Sequence, residues 1–248
     1  MTTVQKIYET IDTIAPFALA EKDDNAGVLL GNKETPVRKA LLALDMTREV
    51  VAEAVEIGAE LVITHHPVMY IPIQKLSTDE AMYHAIQAGL SMIAAHTNID
   101  IAEGGLNDIL AEKLGLTDTT AYEIGRVGAM QNAFTSKELA CHVKNCLGCE
   151  WVRYVPSDGP IQKVGICTGG GGSYMYEAAE MGAQAFITGD IRHHEMMYAK
   201  EKNITLIDAG HFDTENILMP VLQEKLSELL PEVGFVLSRT CENPLKYV

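Results

Sequence analysis

The chain has 248 residues, 34 acidic and 19 basic, with a formal net charge of −15 at pH 7 and 47% hydrophobic content. That apolar fraction is ample for a buried core and argues against disorder. A chain this acidic, with no basic run, lacks the electrostatic footprint of a nucleic-acid binder or of a protein that docks on anionic membranes, because it repels phosphate at long range. The expected partners are small molecules, cations and further copies of the chain.

The first twenty residues place Lys6, Glu9 and Asp12 inside what would have to be an apolar stretch, so no signal peptide is expected. No unbroken run of about 18 apolar residues occurs, so no membrane span is expected either. Five cysteines, an odd number, disfavour a disulfide scaffold and favour a reducing compartment, which makes the cytoplasm the expected location.

In chain order, residues 38–45 (RKALLALD) predict a strand, 47–58 a helix, 60–64 (ELVIT) a strand, 79–89 a helix, 90–95 (LSMIAA) a strand and 106–115 a helix. The second half repeats the order: strand 163–168 (KVGICT), helix 173–182, strand 184–188 (QAFIT), helix 193–202, strand 203–209 and helix 214–229. Such alternation predicts an α/β fold of βαβ crossovers, with mostly parallel sheets covered by helices. EAVEIGAELVIT (53–64) and EAAEMGAQAFIT (177–188) match at seven of twelve positions, 124 residues apart. The pairs His96/Asp100 and His211/Glu215 both have the spacing H-x-x-x-[D/E]. These correspondences indicate an internal duplication. The expected organisation is a first α/β repeat over 1–116, a connecting α+β segment over 117–162 and a second repeat over 163–248.

Six of the eight histidines (His65, His66, His96, His193, His194 and His211) fall just after a predicted strand or at the start of the next helix. Open α/β sheets bind ligands at those carboxyl ends. His84 and His142 lie mid-helix and read as structural. His65-His66-Pro67 can present both imidazoles to one site if the chain turns at the proline, two partly exposed loop histidines being the bland alternative. His96 with Asp100, and His211 with Glu215, place an imidazole and a carboxylate one helical turn apart, with Thr97, Asn98, Asp213 or Thr214 as plausible helix caps. Imidazole plus carboxylate suits Zn, Mn, Fe, Ni or Co rather than calcium. In the second repeat, Gly189 and Asp190 stand where the first has His65 and His66. His193, His194 and Glu195 follow, as an acid/base group, with His194 the one expected to face the site, or as a charge cluster at a helix start.

The run Gly169–Gly172 after a strand suits either a phosphate cradle or a tight βα turn, and it matches neither the dinucleotide nor the P-loop fingerprint. Cys141, Cys146 and Cys149 lack a nearby fourth cysteine and, beside an apolar helical face, read as core residues.

Six ordered blocks, DNAGVLLGN (24–32), THHPVMYIPIQKL (64–76), AHTNIDIAEGGLNDILAEKLGL (95–116), KVGICTGGGGS (163–173), AFITGDIRHHE (185–195) and DAGHFDTE (208–215), together resemble the NGG-interacting-factor-3-like family, also known as GTP cyclohydrolase I type 2 homologues. Where the family usually has Trp before Asp-Asn, this chain has Asp23. The resemblance implies two duplicated, interlocked α/β repeats, a ring-shaped homohexamer and a centre of two divalent metal ions, whose ligands fall on His65, His66, Asp100, His211 and Glu215. It implies a metal-dependent hydrolase of GTP cyclohydrolase I type 2 kind acting on a nucleotide-like small molecule. In such a hydrolase His96 and His194 are the candidates for proton transfer to the leaving group, as imidazoles can at neutral pH. A metal-dependent phosphoesterase and a non-catalytic metal-binding or adaptor protein are the alternative readings.

Overall fold

The computed structural model describes residues 1–71, 73–246 and 248, so Pro72, inside the 64–76 block, lies outside the described residues, as does Tyr247. In chain order its elements are α1 (Val4–Ile14), β1 (Gly27–Leu30), β2 (Lys39–Ala43), α2 (Arg48–Glu56), β3 (Leu61–Thr64), α3 (Ala81–Gln87), β4 (Ser91–Ala94), α4 (Thr97–Ile101), α5 (Leu106–Leu114), β5 (Leu116–Tyr122), β6 (Gly125–Phe134), α6 (Ser136–Leu147), β7 (Arg153–Val155), β8 (Ile161–Ile166), α7 (Met175–Glu180), β9 (Ala185–Thr188), α8 (His193–Lys202), β10 (Thr205–Asp208), α9 (His211–Glu215), α10 (Leu218–Leu229) and β11 (Gly234–Leu237).

Local sequence explains the helix boundaries. Thr3 opens α1 by accepting the Lys6 N–H, and Val4, Ile7 and Ile11 bury one face at helical spacing. Thr135 and Glu138 close a reciprocal capping box on α6, which ends at Gly148 in the left-handed conformation. Strands β3, β4, β9 and β10 are buried at every position, as expected for strands covered on both faces.

The chain forms two compact units, Met1–Ala102 with Leu218–Val248, and Glu103–Ile217. The first holds a five-stranded sheet in the order β1-β4-β3-β2-β11, with β1 the antiparallel edge and the other pairings parallel. Leu41, Val50, Val62 and Met92 belong to its core. The second holds a six-stranded sheet, β5-β6-β8-β9-β10-β7, whose parallel centre β8-β9-β10 is flanked by antiparallel strands. Its core includes Leu110, Leu139, Val164, Ile187 and Ile207.

Strand register follows the repeat. Ala40 pairs with Leu61 between β2 and β3, and Val164 with Ala185 between β8 and β9, both partners displaced by the same 124 residues as the matching segments. The fold is thus the expected α/β arrangement with mostly parallel sheets. The alternation of periods gave no sign of α1, β1, β11 or the β5–β6 hairpin. The helix expected over 214–229 is broken: α9 ends at Glu215 and α10 begins at Leu218.

Candidate metal centre

His65, at the carboxyl end of β3, is 0% exposed. Its Nδ1 lies 2.9 Å from the carbonyl oxygen of Ala95. A carbonyl only accepts, so Nδ1 carries the proton and Nε2 keeps the lone pair. That Nε2 lies 3.7 Å from Asp100 Oδ1, on α4, whose residue is 7% exposed. The chain bends at His65 and His66, just before Pro67, where the His66 N–H donates to Leu44 O and the Thr64 hydroxyl donates to His66 O. His66 Nδ1 then meets Asp45 Oδ1 at 2.7 Å.

His96 completes this cluster. Its Nδ1 lies 2.8 Å from Asp24 Oδ1, and the same carboxylate accepts the N–H and hydroxyl of Thr97 at 3.1 and 2.6 Å. Burial alone would raise the Asp24 pKa, but the hydrogen bonds from His96 and Thr97 outweigh it and hold the carboxyl down at about 2. The potential ligand atoms of His65, His66 and His96 lie within 4.8 Å of one another. Thr97 and Asn98 do not cap α4 as expected. The N-cap position is His96 itself, with no side-chain cap bond; Thr97 holds Asp24 and the Glu21 N–H, and the Asn98 amide donates to Ala15 O.

The second unit carries His211 and Glu215. His211 Nε2 faces Glu215 Oε2 at 3.0 Å along α9, and His211 Nδ1 meets Asp190 Oδ2 at 2.7 Å. Glu215 is only 5% exposed. The cap of α9 is Gly210, without a side-chain bond, so neither Asp213 nor Thr214 serves that purpose. Thr214 instead accepts the Gly169 N–H.

The pair bears on the first glycine of the run. Gly169 has a φ of 60°, and a Cβ there would collide with Glu215 Oε1 and lie 3.2 Å from His211 Nε2. A Cβ on Gly171 would strike Cys167 Sγ, and one on Gly172 the Glu195 carboxylate. The amides of Thr168 and Gly169 already donate to Asn107 and Thr214. Close approach of these side chains accounts for Gly169, Gly171 and Gly172.

Each of the four imidazoles in these clusters has Nδ1 engaged by a carbonyl or carboxylate oxygen, which in the neutral ring leaves Nε2 as the lone-pair donor. That is the arrangement by which proteins orient metal-binding histidines. His211 Nε2 and the Glu215 carboxylate, 3.0 Å apart, are an imidazole–carboxylate donor pair that a divalent cation could use. These histidines and carboxylates can hold a metal ion, and the mixed donor set fits a divalent transition metal.

His193 and His194 lie elsewhere, in an exposed hollow at the start of α8 lined also by Tyr176, Met197 and Tyr198. Among the described residues they belong to neither cluster. Glu195 is buried and accepts the Arg192 N–H as a helix-start brace. Of the three cysteines read as core residues, Cys149 is buried, Cys146 half-buried and Cys141 exposed, which corrects the expectation for Cys141. The residues that histidine counting missed are the orienting carboxylates Asp24, Asp45 and Asp190. Asp45 had a visible signal, an acid ending an otherwise apolar strand.

The sequence profile of the family described as Duf34/NIF3 (NGG1p interacting factor 3) matches residues 2–244. The chain is 35% identical over 257 residues to a Clostridium perfringens protein named GTP cyclohydrolase 1 type 2 homolog, covering 98% of each chain. It is 32% identical to the protein of that name from Clostridium acetobutylicum, covering 93% of this chain and 92% of the relative. In fold it is similar to the crystal structure of a Bacillus cereus protein related to NIF3, with a TM-score of 0.94 at 23% identity over 100% of this chain and 99% of that one.

Proposed function

Since the chain belongs to the Duf34/NIF3 family, we propose that it is a dinuclear divalent-metal protein and a metal-dependent hydrolase of the GTP cyclohydrolase 1 type 2 kind, acting on a nucleotide-like small molecule. The proposed ligands are His65, His66, Asp100, His211 and Glu215. The observation that carries the reading is the shared Nδ1 engagement of the imidazoles, which aims lone pairs rather than N–H groups into both clusters. Divalent ions held there would supply Lewis acidity and lower the pKa of water.

The chain's own groups divide the remaining work. His96 moves the proton through Nε2, because its Nδ1–H is tied to Asp24, and that carboxylate stabilises the ring when it becomes positive. His194 is the second candidate for proton transfer. It is exposed on α8. The active form is proposed to be the cytoplasmic homohexameric ring of the family.

The decisive experiment purifies the protein without added metal, reconstitutes it with Zn, Mn, Fe, Ni or Co, counts bound ions by elemental analysis and screens GTP, other nucleotides and phosphoesters. Two ions per chain, with turnover that falls at least a hundredfold in His65→Ala, is the expected outcome. Wild-type protein that stays metal-free on reconstitution would refute the metal reading. Metal without turnover of any compound would leave a binding protein. His96→Ala and His194→Ala, assayed separately, assign the proton-transfer group, and light scattering gives the assembly.

A further inference from the structure

Asp190 occupies an unusual position. It follows β9 where His66 follows β3, and it is one of four non-glycine residues with positive φ among the described residues, at 51°. Asp enters the left-handed region more readily than most residues, yet at some cost relative to glycine. The side chain is 63% exposed, and its Oδ2 accepts the His211 Nδ1–H at 2.7 Å. A hydrogen bond so open to water adds little to folding. Folding therefore gives little reason for an aspartate rather than a glycine here.

Its neighbours explain the geometry. A Cβ on Gly189 would fall 2.5 Å from the His211 backbone nitrogen, so this loop lies directly against the start of α9. With the loop pressed there, the left-handed turn at Asp190 brings the carboxylate onto Nδ1, while Nε2 faces Glu215. In the first repeat the residue at this place, His66, presents its own ring and borrows Asp45 as acceptor. The second repeat has reversed the roles: the residue in the His66 place has become the acceptor.

We propose that Asp190 is a positioning residue for metal ligation, held in a left-handed turn to lock His211 in the Nδ1–H form with Nε2 directed at the metal. The proposal rests on the metal reading above and extends it to a residue outside the ligand set.

Asp190→Gly deletes the carboxylate while keeping the backbone conformation accessible, and Asp190→Asn keeps an acceptor oxygen. Zinc affinity by chelator competition, the His211 tautomer by long-range proton–nitrogen NMR on metal-free protein, and the metal-free Tm are measured for each. The expected result for D190G is a loss of zinc affinity of about 10- to 100-fold, a shift of His211 away from the Nδ1–H form, and a Tm within about 2 °C of wild type. D190N recovers most of the affinity and the tautomer. Asp190→Ala repeats the deletion with a Cβ in place, should the glycine variant fold poorly. Wild-type zinc affinity in D190G, or an unchanged His211 tautomer, would overturn the role of Asp190 alone. A wild-type protein that binds no divalent ion would overturn the metal reading and this proposal with it.

Discussion

A methyl group on Gly169 would strike the Glu215 carboxylate, and the backbone there sits at a φ of 60°. Gly169→Ala is therefore expected to destabilise the protein by about 1–3 kcal/mol and to weaken metal binding, because Glu215 must move to make room. Thermal melting and a metal titration on the same sample check both effects. If metal affinity is unchanged, Gly169 serves only its turn. Conservative changes at the orienting carboxylates are expected to behave differently: Asp45→Asn keeps an acceptor for His66 Nδ1 and should leave stability within about 0.5 kcal/mol, with metal affinity the quantity that moves. At this scale the histidines and the two acids at ligand spacing were legible in the sequence, since their type and their placement after strands are local properties. Asp24 was not. It lies 72 residues before His96, and only folding brings the two together.

Among elements, Glu53 on α2 is the clearest long-range tie. It is buried and accepts from the hydroxyls of Ser238 and Thr240 and from the backbone and side chain of Arg239, fastening the segment after β11 to α2. Burial would raise its pKa, but these hydrogen bonds prevail and hold it at about 2, below its ordinary 4.5. A depressed carboxylate contributes stability that is complete above the unfolded pKa and disappears as pH falls toward the folded one. Denaturation midpoints should thus decline between pH 4.5 and about 2, and Glu53→Gln should flatten that decline while costing about 1–3 kcal/mol at pH 7. An unchanged pH profile in E53Q would show that other groups carry the acid response. Thr135→Ala, which removes half of the α6 capping box, should cost about 1 kcal/mol in urea denaturation. The central parallel strands of both repeats and the helices between them were readable from periodicity because burial on both faces leaves unbroken apolar runs. The β5–β6 hairpin was not, since the middle of β5, Thr-Asp-Thr-Thr-Ala, is exposed at every position and shows no apolar alternation.

For the whole molecule, charge is the governing property. No helix among the described residues is long and apolar enough to cross a membrane. The formal charge of −15 opposes an anionic substrate, and two divalent ions would reduce it to about −11 while placing positive charge at the site itself. Nucleotide binding is therefore expected to require metal and to strengthen as ionic strength screens the remaining acid groups, the reverse of the salt dependence of a basic nucleotide binder. Titrating a fluorescent nucleotide against metal-free and metal-loaded protein at two salt concentrations checks this; equal binding by both forms would show that the metals play no part in recognising it. The sequence by itself determined the fold class, the duplication, the family and the residue types able to hold a metal, because each is written in local order: periodicity, repeated segments and ligand spacing. Only the tertiary structure decided how those ligands are presented. Which nitrogen of each histidine carries the proton, which distant aspartate holds it there and why Gly169 must lack a side chain all depend on atoms far apart in the chain that meet only once the sheets have formed.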